Sequence, residues 1–477
     1  MDAEMAPPLA KTKTRTPAGT IATFTLVATA ILAAMGSLSL FRGKPLLGDD
    51  NDSMLRLVEV RDLLDGQNWF DLTQYRLGLE GGVEMHWSRL IDAPLAGLVL
   101  LARLFGFGDG AAETFAMAAW PILLALPALY AIIRAARGLS GDDAMLPAAA
   151  IGVAALFYTG QFAPGSIDHH SAQAALALVT IMAMTAADLS WRNGALAGGA
   201  AALMAGIGAE THPHVALCAV GAAAIFLFEG YRQRGFTIGF GSAFSTILAA
   251  IFLGTIEPAH YLRATCDAIS IAQVAPGVAG GLALAAVGLI ARPEGTLLSR
   301  LVILAGTGGL ALLIGGPFAV SCLGDPLADI NGLVRTHWLD LVEEARPLLA
   351  IGRDNPSLGL SYGLPPLIGL AWIVRQIRRG QPLRQHLVMG GAVAVSYAIA
   401  LIQVRGGVLA MLLATIPLAS FVAAARTRAM SNPTVRNQFA MAGAWLSSMA
   451  LVWGVVGLMA DPATWAALSD DTEVGAT

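Results

Sequence analysis

The chain has 477 residues, of which 56% are hydrophobic and 13% charged, with a formal net charge of −4. Apolar runs long enough to cross a bilayer recur throughout, which excludes a soluble globular or disordered chain and marks an integral membrane protein. No soluble domain, heptad run, short-period repeat or low-complexity tract stands out, and no nucleic-acid partner is expected.

Lys11, Lys13 and Arg15 precede the first apolar run, 19–40, and hold the tail 1–18 on the cytoplasmic side. That run is long enough to stay as a span rather than be cleaved. A polar loop, 41–111, follows on the external side. The spacing of Leu55, Val58 and Leu63 against Arg56, Glu59 and Asp62 predicts an amphipathic helix over 53–65, ended by Gly66. The run 90–105 is short for a span and carries Arg103, and is taken as an interfacial or re-entrant helix. Spans then fall near 112–133, 144–161, 171–188, 194–209, 214–230, 236–256, 270–291, 300–319, 357–374, 386–403, 407–424 and 439–460. With this choice the basic clusters at 375–384 and 426–436 lie inside and most acids lie outside, as the positive-inside rule requires. The expected fold class is an all-α integral membrane bundle of about thirteen transmembrane helices. It occupies 19–460, has a long first external loop with interfacial helices and a late external loop at 320–356, and ends in an external tail, 461–477.

Three acidic motifs then share the external face. Asp49, Asp50 and Asp52 precede Arg56; Asp168 and His170 follow the Pro164-Gly165 turn; Glu343 and Glu344 precede Arg346 and Pro347. Such acids repel one another unless they are solvated, dispersed or neutralised. A divalent cation, Mg²⁺ or Mn²⁺, bridging Asp50 or Asp52, Asp168, His170 and Glu344 would neutralise them, since hard cations favour carboxylates and imidazole adds tolerance for manganese or zinc. Solvated polar loops are the bland alternative. Cys266 and Cys322 fall on the same face and can form a disulfide or remain free thiols, whereas Cys218 sits in an apolar run.

Here the sequence resembles the membrane-embedded glycosyltransferases of the GT-C class, and within them the catalytic subunit of oligosaccharyltransferase, particularly its archaeal form. The family's first motif, an aspartate six residues before an arginine, matches Asp50 and Arg56, with Asp52 a competitor. Its archaeal Asp-x-His motif matches Asp168 and His170. Its loop glutamate three residues before a proline matches Glu344 and Pro347, with Glu343 a register alternative. The likeness covers most of 19–430. The family's Trp-Trp-Asp-Tyr-Gly motif, which reads the acceptor sequon, does not occur, so the expected acceptor is an envelope glycan, lipid or other molecule.

The resemblance implies a polyprenyl-phosphate or polyprenyl-pyrophosphate sugar donor in a membrane-lipid environment, with the active face periplasmic on a bacterial inner membrane. Its departing phosphate needs cationic help. The metal could supply part and Arg405, beside Gly406 and Gly407, the rest; Arg56 could assist or could pair with nearby acids. Asp50 or Asp52 would take the acceptor proton, giving inversion, and Glu344 completes the catalytic set. In His86-Trp87-Ser88-Arg89 the ring could stack on a sugar while His86 and Arg89 bind hydroxyls, or Trp87 could be an interfacial anchor. Glu210-Thr211-His212-Pro213-His214 reads as a span end lining the donor cavity more than as a second metal site. A protein oligosaccharyltransferase and a transporter or flippase of lipid-linked sugars are the alternatives.

Overall fold

A computed structural model describes residues 18–41, 46–47, 50–78, 80–324, 331–337 and 339–461. Nearly all of the two expected terminal tails, Asp49 and residues 325–330 of the late loop lie outside them. The first helix, α1 (Ala18–Phe41), leads to α2 (Asn51–Leu64), a two-stranded hairpin of β1 (Thr73–Gln74) and β2 (Val83–Glu84), α3 (Arg89–Leu104) and α4 (Asp109–Ser140). Then come α5 (Met145–Tyr158), α6 (His170–Met184), α7 (Trp191–Ile207), α8 (His212–Glu229), α9 (Arg234–Thr255), α10 (Ile271–Ile290) and α11 (Leu297–Ala319). Two short helices, α12 (Gly332–His337) and α13 (Leu348–Asp354), carry the late loop into α14 (Pro356–Arg378), α15 (Leu383–Ile402), α16 (Arg405–Ser431), α17 (Val435–Ser447) and α18 (Ala450–Ala460).

The all-α membrane architecture is as expected, and each apolar run taken as a span forms helix. Length reduces the count. Among the described residues, eight helical stretches are long and apolar enough to cross a membrane, or nine if α17 and α18 form one span. One of the eight, Ala209–Thr255, contains both α8 and α9, which part at Gly230, where φ is +68°. At 14, 15 and 17 residues, α5, α6 and α7 fall below that length; fourteen residues rise only about 21 Å, against a hydrocarbon core of about 30 Å. The expected single span 439–460 is also broken. Its two helices meet at 82°, where Met449 is extended (φ −101°, ψ 117°). Trp453 Nε1–H donates to Ser447 O at 3.0 Å and so satisfies a carbonyl at the break.

Glycine sets how closely the central helices approach. A Cβ on Gly194 or Gly198 of α7 would stand 2.1 Å from the Phe236 or Phe240 carbonyl oxygen of α9. Backbone therefore packs on backbone, as small residues in membrane helices allow.

The segment after α1 folds back on the bundle. Leu57 and Val60 of α2 and Ile91 and Leu95 of α3 form an apolar cluster with Trp120 of α4, Ile167, Ala172 of α6 and Ile207 of α7. Each large aliphatic side chain buried there contributes roughly 1.5–3 kcal/mol, and the cluster places α2 directly over the segment that carries Asp168. The other edge of α3 is apolar and exposed at Leu100, Leu101 and Leu104, in keeping with the interfacial reading.

Candidate functional site

The site begins at the turn before α6. Gly165 has φ +96°, and a Cβ there would stand 1.8 Å from Leu46 O; only glycine fits this left-handed, crowded position. Its N–H donates to Met117 O at 3.0 Å, anchoring the turn on α4. Ile167 is buried in the apolar cluster, so Asp168 and His169 arrive buried at the start of α6.

Asp168 Oδ1 accepts the His169 backbone N–H at 2.6 Å and lies against His169 Nδ1. Its Oδ2 is 3.2 Å from His170 Nε2, which is 3.9 Å from Glu344 Oε2. Burial alone would raise the Asp168 carboxyl. The His169 hydrogen bond and the charges of His170, His169 and Arg56 outweigh it and hold the group well below the usual carboxylate range. Burial would lower the His169 imidazole, but its bonds to Asp168 and Glu210 raise it to about 9.

Asp50, Asp52, Asp168, His170, Glu343 and Glu344 all line one cavity of about 770 Å³, together with Glu210, His214, Tyr362 and Arg405. Asp50 is the N-cap of α2: it accepts Asp52 N–H at 3.1 Å and the Ser53 hydroxyl. Burial, with the nearby Asp168, Asp50 and Glu344 charges, raises the Asp52 carboxyl. Glu344 rather than Glu343 reaches His170. Its loop is fixed where Val404 N–H donates to Arg346 O at 2.7 Å and where Arg346 pairs with Asp354.

Arg405 opens α16 and lines the cavity. Among the described residues its guanidinium has no ion pair, and its Nε is buried without a hydrogen-bond partner. The glycines beside it serve packing rather than ligand approach. A Cβ on Gly406 would meet Ala400 N at 2.6 Å, and one on Gly407 the Tyr362 Cβ at 3.0 Å.

Four expected ligand contacts lie elsewhere. Arg56 is fully buried and does not line the cavity; its Nη1 donates to Asp92 at 2.7 Å and Glu59 at 3.0 Å. Arg89 is equally buried, bonded to Asp92 at 3.1 Å and to the Trp69 and Asp71 carbonyls. Both therefore join Glu59 and Asp92 in a buried cluster of ionisable groups under the loop, the alternative weighed for Arg56. Trp87 is buried with the Arg56 guanidinium 4.3 Å from its ring centroid and the His169 ring 6.1 Å away, so its faces are not free for a sugar. His86 is exposed outside the cavity lining. Burial and the Asp92 charge push the Glu59 carboxyl up to about 8 against the pull of Arg56 and Arg89.

His169, Ser53 and Gln173 are not among the site residues expected from the sequence. His169 sits between two chosen residues, but adjacency carries no sign of its orientation. Glu210, read only as part of a span end, lies 3.2 Å from His169 Nε2 and accepts Gln173 Nε2–H at 3.0 Å. Cys266 and Cys322 are joined as a disulfide, Cα–Cα 5.2 Å, tying the loop after α9 to the end of α11; Cys218 is buried and free.

The donors suit a divalent cation. Neighbouring ligands of an octahedral ion at about 2.2 Å lie about 3 Å apart, which the 3.2 Å Asp168–His170 separation matches. Two carboxylates and an imidazole are appropriate chemistry, and the ligand atoms of Asp168, His169 and His170 lie within 4.8 Å of one another.

This architecture is that of the oligosaccharyltransferase-type membrane proteins. The solved structures that share it include the Archaeoglobus fulgidus oligosaccharyltransferase in its apo form, with a TM-score of 0.64 and 14% identity over 90% of this chain and 55% of that one. The Archaeoglobus fulgidus protein AglB in complex with an inhibitory peptide and a dolichol-phosphate matches at 0.61 and 14%, over 91% and 56%. The Archaeoglobus fulgidus enzyme in complex with Zn and sulfate matches at 0.53 and 14%, over 90% and 52%. The chain thus spans about half the length of these proteins. No family model and no curated protein matches the sequence.

Proposed function

We propose that this protein is a membrane glycosyltransferase that moves a sugar or oligosaccharide from a polyprenyl-phosphate or polyprenyl-pyrophosphate donor to an envelope glycan, lipid or other acceptor. The observation that carries the proposal is the junction, in one cavity, of the Asp168–His170–Glu344 donor set with Arg405, a cation without an ion pair among the described residues. The dolichol-phosphate in one structural neighbour supports a polyprenyl carrier, and the Zn and sulfate in another support a metal and an anion. The Cys266–Cys322 disulfide supports an oxidising compartment, hence a periplasmic active face on a bacterial inner membrane.

Asp168, His170, Glu344 and Asp50 or Asp52 would hold Mg²⁺ or Mn²⁺, which when bound supplies Lewis acidity to the departing phosphate. Arg405 binds phosphate oxygens through its planar fork. The aspartate not engaged by metal takes the proton from the acceptor hydroxyl. As that oxygen bonds to the anomeric carbon, the carbon–phosphate-oxygen bond breaks, and the lipid phosphate leaves with the electron pair; attack opposite the leaving group inverts the centre.

Mass spectrometry of lipid-linked saccharides from the native host, wild type against Asp168→Ala, tests this. Accumulation of one polyprenyl-linked saccharide is expected. An unchanged profile, with the variant expressed and the pathway active, overturns it. A second reading is a protein acceptor, favoured by the neighbour solved with a tethered acceptor peptide containing the NVT sequon; a glycoproteome unchanged on deletion disposes of it.

A further inference from the structure

His169 and Glu210 have no role in the reaction proposed above, yet they are paired at the site, His169 Nε2 to Glu210 Oε1 at 3.2 Å. Proximity alone would admit His169 as a third ligand beside Asp168 and His170. Its surroundings argue against that. Nδ1 lies against Asp168 Oδ1, and Nε2 is 3.2 Å from Glu210 Oε1. Both ring nitrogens lie against carboxylates and, unlike His170, the ring does not open onto the cavity through which an ion would enter. The ring is walled by Trp87, 6.1 Å away, and by the His170 ring at 4.4 Å. It is absent from the cavity lining, which contains Asp168, His170 and Glu210.

We infer that Glu210 is a positioning residue that acts through His169 on Asp168; the inference rests on the proposed metal role of Asp168 and His170. Glu210 is itself held. Its Oε2 accepts Gln173 Nε2–H at 3.0 Å, and Gly208 leaves it room, since a Cβ there would stand 2.5 Å from Oε2. The fixed carboxylate sets the imidazole, and the imidazole occupies Asp168 Oδ1. Oδ2 is left facing His170 Nε2 and the cavity. An outer carboxylate–histidine pair of this kind orients a ligand without touching the ion. Trp87 supports the ring from the side, and Arg56, bonded to Glu59 and Asp92, supports Trp87.

The test is Mn²⁺ binding to the purified full chain in detergent, followed by the loss of the free-ion paramagnetic resonance signal, with thermal unfolding measured alongside. Glu210→Gln should weaken Mn²⁺ binding about 10- to 100-fold at an unchanged apparent Tm. His169→Gln should do the same, and the double variant should be no weaker than either single one, because Glu210 works only through His169. Glu210→Asp, with the charge kept but the reach shortened, should fall between, and it decides the question if Glu210→Gln does not fold. Wild-type affinity in a folded Glu210→Gln, or in Glu210→Asp where that variant decides, or losses that multiply in the double variant, overturn the positioning role while Asp168→Asn still abolishes binding. Wild-type protein that binds no Mn²⁺, or Asp168→Asn that binds normally, overturns the metal reading and this inference with it.

Discussion

Ser53 accepts the backbone N–H of Ile167 at 3.0 Å, across 114 residues of sequence. The same hydroxyl donates to Asp50, so one buried oxygen ties the first acidic motif to the residue before Asp168. Ser53→Ala leaves the buried Ile167 N–H without a partner, which costs about 1–3 kcal/mol. The expected outcome is a lower apparent Tm in detergent together with weaker Mn²⁺ binding. A variant with wild-type values for both would show that the link does not set the register of the two motifs.

Among the described residues, Arg405 lines the cavity without an ion pair. Charge-assisted hydrogen bonds are worth about 1.5–3 kcal/mol, so Arg405→Ala should lower kcat/KM for a polyprenyl-phosphate donor roughly 10- to 100-fold. Arg405→Lys should recover part of the loss, since it restores charge without the planar fork. Equal activity of all three proteins would remove Arg405 from the donor site.

Glu59 gives the buried charge cluster a pH dependence. Its folded value of about 8 lies above the ordinary 4.5. The unfolded chain therefore releases this proton first as pH rises, and the stability present below about 4.5 is lost progressively up to about pH 8. Glu59→Gln stays neutral in both states. The apparent Tm of Glu59→Gln, relative to wild type, should thus become more favourable between pH 5 and pH 8. A constant difference across that range would mean that Glu59 titrates normally.

The disulfide predicts a labelling pattern. A maleimide added to denatured, unreduced protein should mark Cys218 alone, and after reduction all three cysteines. Three labelled thiols before reduction would show that the bridge does not form in the membrane. With the bridge present, Cys322→Ser should lower transfer several-fold, because the late loop that carries Glu344 loses its tether to the loop after α9.

Asp168→Asn and Glu344→Gln should each abolish transfer in a purified assay while still folding, Asp168→Asn with a lower apparent Tm because its buried charge is stabilised by its neighbours. Normal transfer by both would reject the metal-assisted mechanism.

The helical runs were legible because membrane spans are written as contiguous apolar sequence, and the three acidic motifs because carboxylates are rare in such a chain. Asp50, Asp52, Asp168, His170, Glu344 and Arg405 do converge on one cavity. The unexpected placements have physical reasons. Arg56, Trp87 and Arg89 looked like ligand-binding groups because sequence shows polarity without burial. In the fold Arg56 and Arg89 bond to Glu59 and Asp92 beneath α2 and α3, with Trp87 packed on Arg56. The run 439–460 had the composition of one span, but its 82° bend turns on the Met449 backbone, which composition does not record.

The sequence by itself determined that this is a helical membrane protein and which short polar motifs interrupt its apolar runs, since hydropathy and residue type are local properties. Only the tertiary structure decided which polar groups meet. Ser53 with Ile167 and His169 with Glu210 are pairings across helices, fixed by the glycine contacts of α7 with α9 and by the apolar cluster around Ile167. Such contacts depend on how whole elements pack, and no spacing along the chain encodes them.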